Sequence, residues 1–594
     1  MPQIQKFLAT TALEEFWDSS QPILFLGEWC KVYDRKSAWE NLDSEILQSN
    51  LLKHASSYEA YTHSIQIYDT LLPKIASWLN KIHHTEHSLR YWQIIVGPFL
   101  LWYIQVVYHR FYYLKIAYLV YPKLNTIGLE PTSYITPINT REFTLFASES
   151  DAWNLQLCTQ ILSLTFKKPI SFQDFSFKSE LKQREIIFGD HLPYKKHTKL
   201  KLNFVRFIAK SYDSKAIGLC SPMFERDVIK KLSFLSKFRL LPLIQMELVN
   251  QARFGKNTID QITRNEITKL STTNDFSRLV LETLKINMPM NFIECYKEAS
   301  QKSDLCYPYN PSVIVGGAWM HDDLFKFWGA KKVEEGTRII DIQHGGGFGT
   351  GKYSSYEYLG RKNCNAFISW GWKDGEDVIK APSILICERF FERKWDRRDS
   401  KNNLILWAIT ETNRYLSYME SCLESMRQSY FDWQCQFAKA LHPEVFSQVT
   451  MRIRPSSRYV NYLINRLPTL KIHQPTGRDS FFDQLHSTKI LISDNLGTVF
   501  HYGLAFNIPT IIFWDKRLFE LRKESEVYFK MLQDVGIYHD SPESAAIMLN
   551  KIANDPGSWW GNENVQVARK NFCDNFAYFS SSWVKEWHDM LLKF

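Results

Sequence analysis

Short apolar runs alternate with longer segments of helical spacing through the C-terminal half of the chain. An apolar run of strand length predicts a strand in a covered sheet, while apolar residues three to four positions apart predict a helix. The predicted strands are residues 403–410, 449–455, 470–474, 489–493 and 509–514, and helices are predicted at 413–441 and 582–592. Strands separated by helical segments in this way favour a doubly wound parallel sheet.

The N-terminal half has the same α/β character but is interrupted by helical sequence. Strands are predicted at residues 7–13, 22–27, 311–317, 337–343, 365–372 and 383–387. From about residue 38 to residue 124 the spacing is helical, which predicts a helical insertion after the first strands. The charged stretch 388–403 is the best linker candidate.

These patterns predict more than one hydrophobic core, as expected for 594 residues. The predicted domains are an N-terminal α/β domain over residues 1–395, a Rossmann-like domain over residues 402–580 and a terminal helix over residues 581–594. The terminal helix is expected to cross back onto the N-terminal domain.

Composition limits the partners of the chain. Its formal net charge is +9, and a moderate positive balance suits anionic ligands or an anionic membrane surface. There is no long Lys/Arg block and no zinc-finger or RNP pattern, so we expect no nucleic-acid partner. The ten cysteines are scattered without a CxxC pair, which predicts a cytoplasmic protein.

The uncharged stretch Tyr91–Tyr108 is a candidate membrane span. It reaches the spanning length only marginally and is interrupted by Gln93, Pro98 and Gln105. We therefore expect a buried or membrane-apposed aromatic helix, in keeping with a peripheral membrane protein. The first residues do not follow a signal-peptide pattern, because acidic residues come early and no long apolar core follows.

The most informative segment is Lys489–Asp515, which predicts a strand, a polar turn, a helix and a second strand in succession. Free N–H groups and the helix dipole make such a turn an anion site. In an open parallel sheet, ligands bind beyond the carboxyl ends of the strands, where this turn lies. We therefore expect the phosphate of a nucleotide sugar at Ser493, Asp494, Asn495, Gly497 and Thr498.

A second motif, DIQHGGGFGTGK, takes a predicted strand into a glycine-rich loop. Glycines let the backbone approach a ligand closely, so Gly345, Gly346 and Gly347 are predicted donor-binding residues. His344 could donate to an oxyanion or phosphate, or carry a proton. The alternative is a tight turn between strands with a structural histidine.

The same loop nearly spells the P-loop pattern G-x-x-x-x-G-K. Tyr353 stands where a P-loop has a serine or threonine for Mg²⁺. The sequence that follows does not resemble a nucleoside triphosphatase core, so this alternative is less favoured.

Two further candidates follow strands of the C-terminal half. Alternation places Arg452 and Arg454 on one face of their strand, and guanidinium groups bind phosphate or carboxylate through paired hydrogen bonds. Thr412 and Asn413 follow the predicted strand 403–410 and form a candidate ligand loop. Surface salt bridges for the arginines, and plain helix capping for Thr412 and Asn413, remain alternatives.

Glu28 closes the predicted strand 22–27. A carboxylate at the carboxyl tip of a strand, facing an interdomain cleft, could act as a base or a nucleophile. A buried ion pair or a cap is the alternative. The His321-Asp322-Asp323 sequence is better explained as a solvated helix start, and no zinc pattern appears.

Five segments carry a family resemblance when taken in order. They are FLATTALEEFWD, ILFLGEWC, IIDIQHGGGFG, LILWAITETNRY and ISDNLGTVFHYGLAFNIPTIIFWD. Over nearly the whole chain this set resembles a family of bacterial transferases encoded in O-antigen and capsule loci. That family is similar to GT-B glycosyltransferases and distantly similar to capsule-assembly transferases that use CMP-activated 3-deoxy-2-ulosonic acids. The resemblance implies an α/β, GT-B-like fold, with two Rossmann-like domains facing a cleft and a helical insertion in the N-terminal half.

The resemblance also implies substrates and location. The donor would be a CMP-activated ulosonic acid such as Kdo or a nonulosonate, and the acceptor a surface glycan or lipid-linked glycan of a capsule, O-antigen or lipopolysaccharide. Transfer would occur on the cytoplasmic face of the inner membrane. GT-B enzymes generally stabilise the leaving nucleotide with protein groups, so no metal and no cofactor are expected.

One departure from that pattern concerns the donor side. Bacterial transferases that use CMP donors often carry a His-Pro pair after a strand. Here Arg454-Pro455 stands at the strand end, and His442-Pro443 precedes the strand. The CMP assignment is weakened but not removed, because arginine also binds phosphate.

Together these features predict a glycosyltransferase in which Glu28 and His344 are catalytic and the other motif residues bind the donor. Two alternatives remain open. One is transfer of a phospho-alditol from a CDP donor, which the mass of the product would distinguish. The other is a non-catalytic glycan assembly or binding protein, which would bind glycan without hydrolysing or transferring any nucleotide sugar.

Overall fold

The structure, a computed structural model, describes most of the chain. The described residues are 5–47, 57–166, 170–188, 207–212, 215–220, 224–245, 258–272, 274–317, 319–392, 404–409, 413–420, 427–454, 460–475 and 481–594. Two compact units are present. The first consists of Met1–Ser221, Lys237–Ile339 and Asn413–Met419, and the second of Pro222–Ser236, Ile340–Thr412 and Glu420–Phe594. The predicted boundary at residues 395–402 lies outside the described residues.

The first unit begins with a parallel sheet of four strands. These are β1 (Lys6–Ala9), β2 (Ile23–Phe25), β3 (Ser44–Ile46) and β4 (Leu124–Asn125), in the order β3-β2-β1-β4. Phe7 lies opposite Ile23, and Ile23 lies opposite Ser44. Leu8 and Leu24 are fully buried, as the apolar runs of the sequence predict.

The helical insertion lies between β3 and β4. Its helices are Ser57–His83, Leu89–Ile95 and Gly97–Val120. The prediction that helical structure starts near residue 38 was wrong, because β3 comes first. A strand of three half-buried residues has too little hydrophobic pattern to be recognised in sequence.

The uncharged stretch of the insertion is buried inside the first unit. Tyr91, Trp92, Trp102 and Tyr103 have no exposed surface. Pro98 stands in the first turn of its helix, a position that proline favours. Among the described residues no single helix passes the length and hydropathy test for a membrane span, and the helices 89–95 and 97–120, bent by 61°, pass it only as a pair.

The remainder of the first unit is mixed α/β. Its strands are β5 (Ile127–Leu129), paired with β6 (Ser171–Gln173), and β7 (Ile217–Cys220), β8 (Leu240–Leu243) and β9 (Val313–Gly316), parallel in the order β8-β7-β9. Its further helices are Thr140–Glu149, Asp151–Ile161, Lys178–Phe188, Gln261–Glu266, Asp275–Asn287, Tyr296–Cys306 and Asp323–Glu334.

After Ile339 the chain belongs to the second unit, so the boundary falls within β10 (Arg338–Ile342). Strand β10 pairs in parallel with β11 (Ala366–Ser369), and β11 pairs in parallel with β12 (Val378–Lys380). Its other strands are β13 (Leu404–Ala408), β14 (Val449–Arg452), β15 (Lys471–His473), β16 (Thr488–Ser493), β17 (Thr510–Phe513) and β18 (Tyr538–His539). Its helices are Arg226–Leu235, Ser355–Asn363, Ile384–Cys387, Arg427–Ala440, Pro443–Phe446, Val460–Arg466, Phe481–His486, Val499–Ala505, Lys523–Asp534, Pro542–Ile552, Pro556–Trp560, Glu563–Phe576 and Trp583–Leu591.

Strands β13 to β18 form one parallel sheet in the order β15-β14-β13-β16-β17-β18. Numbered along the chain, this is the 3-2-1-4-5-6 order of a doubly wound nucleotide-binding sheet. The strand order reverses between β13 and β16, and ligands of such sheets bind at the carboxyl ends of the strands at this point. The predicted α/β fold with parallel sheets is confirmed.

Two local predictions were wrong. Residues 383–387, predicted as a strand, contain the helix Ile384–Cys387, whose first turn is capped by the Ser383 hydroxyl. A short apolar run in the sequence does not distinguish a strand from a buried helix. Here the Ser383 hydroxyl accepts from the Ile386 N–H and stabilises the helical start. The prediction of a helix from residue 413 was wrong for residues 413–420, which are not helical, because the backbone N–H groups of Tyr415 and Met419 donate to Ser148 and Gln105 in the first unit instead. Among the described residues the helix covers Arg427–Ala440.

Candidate active site

The two motifs that stand out in the sequence meet inside the second unit. We call residues 344–352 the glycine loop and residues 493–498 the polar turn. The Gly346 N–H donates to Thr498 Oγ1 at 3.1 Å. A Cβ atom on Gly346 would lie 2.5 Å from His501 Cε1 and 2.6 Å from the Gly497 carbonyl oxygen. This approach requires a residue without a side chain, so the sequence motif has a steric reason.

Gln343, which lies in the DIQHGGGFGTGK motif but had no predicted role, fixes the start of the glycine loop. Its side-chain oxygen accepts from the backbone N–H of Trp370 and from Trp372 Nε1, both at 2.8 Å. Its side-chain nitrogen donates to the Gly345 carbonyl at 2.8 Å. A fully buried amide therefore ties the loop to the chain that follows β11. A lone glutamine at a strand end carries no sequence signal for this role.

A partly buried ion pair holds the far end of the glycine loop. Glu357 accepts from the Gly349 N–H at 2.9 Å and from Arg522 Nη2 at 2.6 Å. Gly349 has a φ of +70°, in the left-handed region that favours glycine. The Arg522 N–H donates to the Thr350 carbonyl at 2.8 Å. The loop is thus anchored to the segment after β17 as well as to the polar turn.

The lysine of the P-loop alternative, Lys352, is bonded to a carboxylate. Lys352 Nζ donates to Glu520 at 2.6 Å. Tyr353, in the position of the magnesium-binding residue, is 3% exposed. The helix that follows begins only at Ser355, with Ser354 as its N-cap. A lysine bound to a carboxylate ahead of the helix does not match a phosphate-binding P-loop.

Asp494 shapes the polar turn from within. Its carboxylate accepts from Trp407 Nε1 at 3.0 Å, Tyr430 OH at 2.7 Å, Gln434 Nε2 at 2.8 Å and Asn495 Nδ2 at 3.2 Å. Burial raises the pKa of this carboxyl, while the hydrogen bonds act in the opposite direction. The partners come from β13 and from the helix Arg427–Ala440. Asp494 therefore holds the turn against the centre of the sheet.

Ser493 and Asn495 contribute unused hydrogen-bonding groups to the polar turn. Both side chains are at least 99% buried, and no described group bonds to Ser493 Oγ or Asn495 Oδ1. Buried polar atoms without a partner are costly. A ligand with both an acceptor and a donor would satisfy them. The helix after the turn, Val499–Ala505, has only seven residues, so these side chains carry more of the site than its dipole does.

His344 opens the glycine loop with a neutral ring. Its ring lies edge-on to the rings of Phe348 at 5.0 Å and Tyr356 at 5.4 Å between centroids. Nδ1 is buried, and no described group bonds to it. Burial lowers the pKa of His344 to about 4, with a backbone contact at Ile342 acting against the shift. A neutral imidazole can accept a proton or donate a hydrogen bond near pH 7.

The arginines lie at the carboxyl end of β14. Met451 and Ile453 are buried, whereas Arg452 is half-buried and Arg454 exposed, so alternation places the two arginines on one face. Arg452 Nη1 donates to Gln484 Oε1 at 2.5 Å. Arg452 is the last residue of β14 and Arg454 follows it, at the end of a parallel strand where such sheets bind ligands.

Two other predicted site residues belong to the first unit. Glu28 begins a short helix, Glu28–Cys30, directly after β2 in the first unit. Asn413 also belongs to the first unit and donates to Ser417 Oγ at 3.2 Å. Thr412 lies outside the described residues. Their donor-binding and catalytic roles stay predictions.

The His-Pro pair of this chain lies at the opposite end of its strand. His442 caps the helix Pro443–Phe446, which precedes β14. Its side chain is exposed, and its backbone N–H donates to Asn550 Oδ1 at 2.9 Å. The amino end of a parallel strand is not where such sheets bind ligands, so Arg454, and not His442, follows the end of β14 at which ligands are expected.

Among the described residues no group of three or more His, Cys, Asp or Glu side chains is placed to hold a metal ion. The cysteines within the described ranges are free and buried, namely Cys30, Cys158, Cys220, Cys295, Cys306, Cys364, Cys387, Cys435 and Cys573. They act there as small apolar residues of the core.

Solved structures similar to this chain include three transferases. Wall teichoic acid polymerase TagF is 12% identical with a TM-score of 0.30, and the match covers 70% of this chain and 98% of that one. WaaG, a glycosyltransferase involved in lipopolysaccharide biosynthesis, is 8% identical with a TM-score of 0.29, covering 63% and 99%. The spinosyn rhamnosyltransferase SpnG is 10% identical with a TM-score of 0.27, covering 61% and 95%. At such values none of them bears on the activity of this chain.

No curated protein matches the chain. A family model matches it from residue 6 to residue 591. That range contains the glycine loop, the polar turn and every predicted site residue. The chain belongs to the LIC12162 family of transferases.

Proposed function

We propose that the chain is a glycosyltransferase that moves a sugar from a nucleotide donor onto a bacterial surface polysaccharide of a capsule or O-antigen. The observation that carries the proposal is the contact of the glycine loop with the polar turn. It lies beside the strand-order reversal of a parallel 3-2-1-4-5-6 sheet, where nucleotides bind. Membership of a transferase family agrees with group transfer.

In this proposal the donor phosphate lies on the polar turn. Ser493 Oγ donates to a phosphate oxygen, Asn495 Oδ1 accepts from a donor hydroxyl or amine, and Arg452 and Arg454 balance the negative charge. His344 faces the reacting centre as a neutral hydrogen-bond donor or proton carrier. Protein groups then stabilise the leaving nucleotide without a metal.

Glu28 remains the candidate base or nucleophile of the proposal. The motivation is its place after β2 of a parallel sheet, the end at which such sheets carry their functional groups. A Glu28→Gln variant that transfers sugar at the wild-type rate would remove this role.

A CMP-activated ulosonic acid is the donor that we propose. Arg454 in place of histidine at the end of β14 supplies a phosphate-binding cation. A thermal-shift screen with CMP, CDP, UDP, GDP and dTDP tests the nucleotide, because a ligand that binds only the folded state raises the melting temperature. We expect the largest shift with CMP. A selective shift with another nucleotide removes the ulosonic donor, and no shift with any of them removes the donor site.

Alanine at both Ser493 and Asn495 should weaken nucleotide binding by about tenfold to a hundredfold while the fold is retained. The reason is that each change removes a hydrogen bond to the ligand, worth about 1 kcal/mol. Calorimetric titration with the nucleotide selected by the screen measures the effect. His442→Ala is the matched control, since His442 is exposed at the other end of β14. Unchanged affinity in the double variant would falsify the placement.

We place the acceptor on the membrane side, as a glycan or lipid-linked glycan reached from the cytoplasmic face of the inner membrane. The net charge of +9 supports peripheral contact with an anionic surface. The aromatic stretch 91–108 is not available for that contact, because it is buried in the first unit. Co-sedimentation with vesicles containing anionic lipid tests the association, and recovery of the protein in the supernatant at low salt argues against it.

A further inference from the structure

Two glutamates, Glu357 and Glu420, share a hydrogen-bonding partner just after the glycine loop. Ser354 Oγ donates to Glu420 Oε1 at 3.1 Å, and the Tyr356 N–H donates to the same oxygen at 3.4 Å. Ser354 Oγ also accepts from the Glu357 N–H at 3.2 Å. One serine hydroxyl therefore bridges Glu420 to the residue whose carboxylate anchors the loop. All four residues belong to the second unit.

The environments of the two carboxyl groups differ. Glu357 is paired with Arg522 at 2.6 Å, and Arg361 lies 3.7 Å away. Glu420 has no basic partner among the described residues, and its hydrogen bonds come only from neutral groups. Burial raises the pKa of Glu420 to about 8, the bonds from Ser354 and Tyr356 oppose the shift, and the charge of Glu357 adds to it. Burial, opposed only in part by these hydrogen bonds, favours the neutral form of the Glu420 carboxyl.

Glu420 also lies near the candidate catalytic histidine. The Tyr356 backbone binds Glu420, and the Tyr356 ring packs edge-on against the His344 ring. The elements around it carry Glu357 and Arg522, which are paired with each other, the Lys352–Glu520 pair, and the neutral His344. A charge on Glu420 acts over several ångströms through this partly buried region, where water screens it poorly.

We propose that Glu420 is a further residue of the candidate site, which admits an anionic ligand to the glycine loop when its carboxyl is neutral and repels that ligand when ionised. The ligand chemistry is a phosphate group, as in a nucleotide. The inference rests on the proposed function in one respect, namely that the glycine loop and the polar turn hold the donor. It adds a proton-dependent gate that no sequence motif indicates.

The gate predicts weaker nucleotide binding at alkaline pH. Calorimetric titration of the full chain with CMP, whose charge is constant above about pH 7.5, should show affinity about tenfold lower at pH 9 than at pH 7.5. In Glu420→Gln, which cannot ionise, affinity should stay within about twofold over this range. Ser354→Ala removes a hydrogen bond that lowers the Glu420 pKa. The pH at which half of the CMP affinity is lost, here called the pH of half-loss, should therefore rise.

Glu420 should also leave a signature without ligand. A carboxyl whose pKa is raised by folding contributes stability that is fully present below its pKa in the unfolded chain. For Glu420 this contribution is lost as the pH rises from 4.5 to about 8. Between those values the melting temperature of the wild type should fall relative to that of Glu420→Gln. A constant difference means that Glu420 is already ionised and overturns the gate.

The outcomes separate the two proposals. CMP affinity that does not vary with pH, or that varies equally in wild type and Glu420→Gln, overturns the gate and leaves the donor site standing. No CMP binding at any pH removes the CMP donor site and the gate with it. If Glu420→Gln does not fold, Ser354→Ala carries the test, and an unmoved or lowered pH of half-loss overturns the gate.

Discussion

Gly346→Ala is expected to lower the melting temperature by several degrees and to weaken nucleotide binding at least about tenfold. The added methyl would meet the Gly497 carbonyl oxygen at 2.6 Å, and a backbone atom in a packed turn cannot rotate aside. Overpacking of this kind costs about 1–3 kcal/mol, and about 1.4 kcal/mol corresponds to a factor of ten in binding. The glycine loop must therefore move off the polar turn, taking the Gly346–Thr498 hydrogen bond with it.

Gly557→Ala is the matched control for this change. A Cβ atom there would lie 3.5 Å from Asp555 Oδ1, and Gly557 does not have a positive φ. We expect a shift of the melting temperature within about 2 °C and near wild-type affinity. Thermal melts measure the melting temperature of both variants, and calorimetry measures their nucleotide affinity. Equal behaviour of the two variants would show that contact between loop and turn does not shape the site.

His344→Ala should reduce the rate of sugar transfer by about a hundredfold to ten-thousandfold, the range found for a positioned acid or base. The reason is the loss of a neutral ring whose buried Nδ1 has no described partner. Nucleotide affinity should change less than about threefold, because in the proposal the polar turn holds the phosphate. Steady-state rates with the donor that the thermal-shift screen selects, together with calorimetry, separate these two effects.

His344→Asn distinguishes proton transfer from hydrogen bonding. Asparagine presents an amide near the position of Nδ1 but does not exchange a proton in this pH range. A rate as low as that of the alanine variant indicates proton transfer, while a largely recovered rate indicates a hydrogen-bonding role. Transfer by His344→Ala at the wild-type rate would exclude His344 from the chemistry.

The pKa of His344 gives an independent check on its environment. Its folded value of about 4 lies below the ordinary 6.5, so its contribution to stability is present above pH 6.5 and is lost as pH falls towards 4. Over that interval the wild type should lose more stability than His344→Asn. A parallel loss in both proteins would mean that the imidazole is not buried.

The α/β character of the second unit could be predicted because its strands are almost wholly apolar. In the run KILIS, Ile490 and Leu491 are fully buried in β16, which suits the centre of a parallel sheet. Glycine and polar residues at the ends of β10 and β16 likewise marked the glycine loop and the polar turn. Each of these signals lies within a few consecutive residues.

The supports of the site could not be predicted in the same way. Gln343 is bonded to Trp370 and Trp372, which follow a different strand. Glu357 is paired with Arg522, far along the chain. Local sequence pattern does not encode which distant partner a buried polar side chain will bind, so the sequence alone gives no signal for the roles of these residues.

Tertiary contacts also overrode local preference near the start of the predicted helix at residue 413. Arg414 forms an ion pair with Asp151 at 2.5 Å, and the Tyr415 hydroxyl donates to the same carboxylate. Bonds to groups of the first unit replace the hydrogen bonds of a helical turn there. Helix propensity amounts to a few tenths of a kcal/mol per residue and does not outweigh buried charged contacts.

The sequence by itself determined the class of fold, the parallel strands, the helical insertion and the two loops that form the candidate site, because apolar periodicity and glycine placement act locally. Only the tertiary structure decided that the glycine loop lies on the polar turn, that Asp494 faces inward, and that Glu357 is paired with a cation whereas Glu420 has none among the described residues. Those outcomes depend on burial and on partners distant in sequence, which set the hydrogen bonds and pKa values of the site.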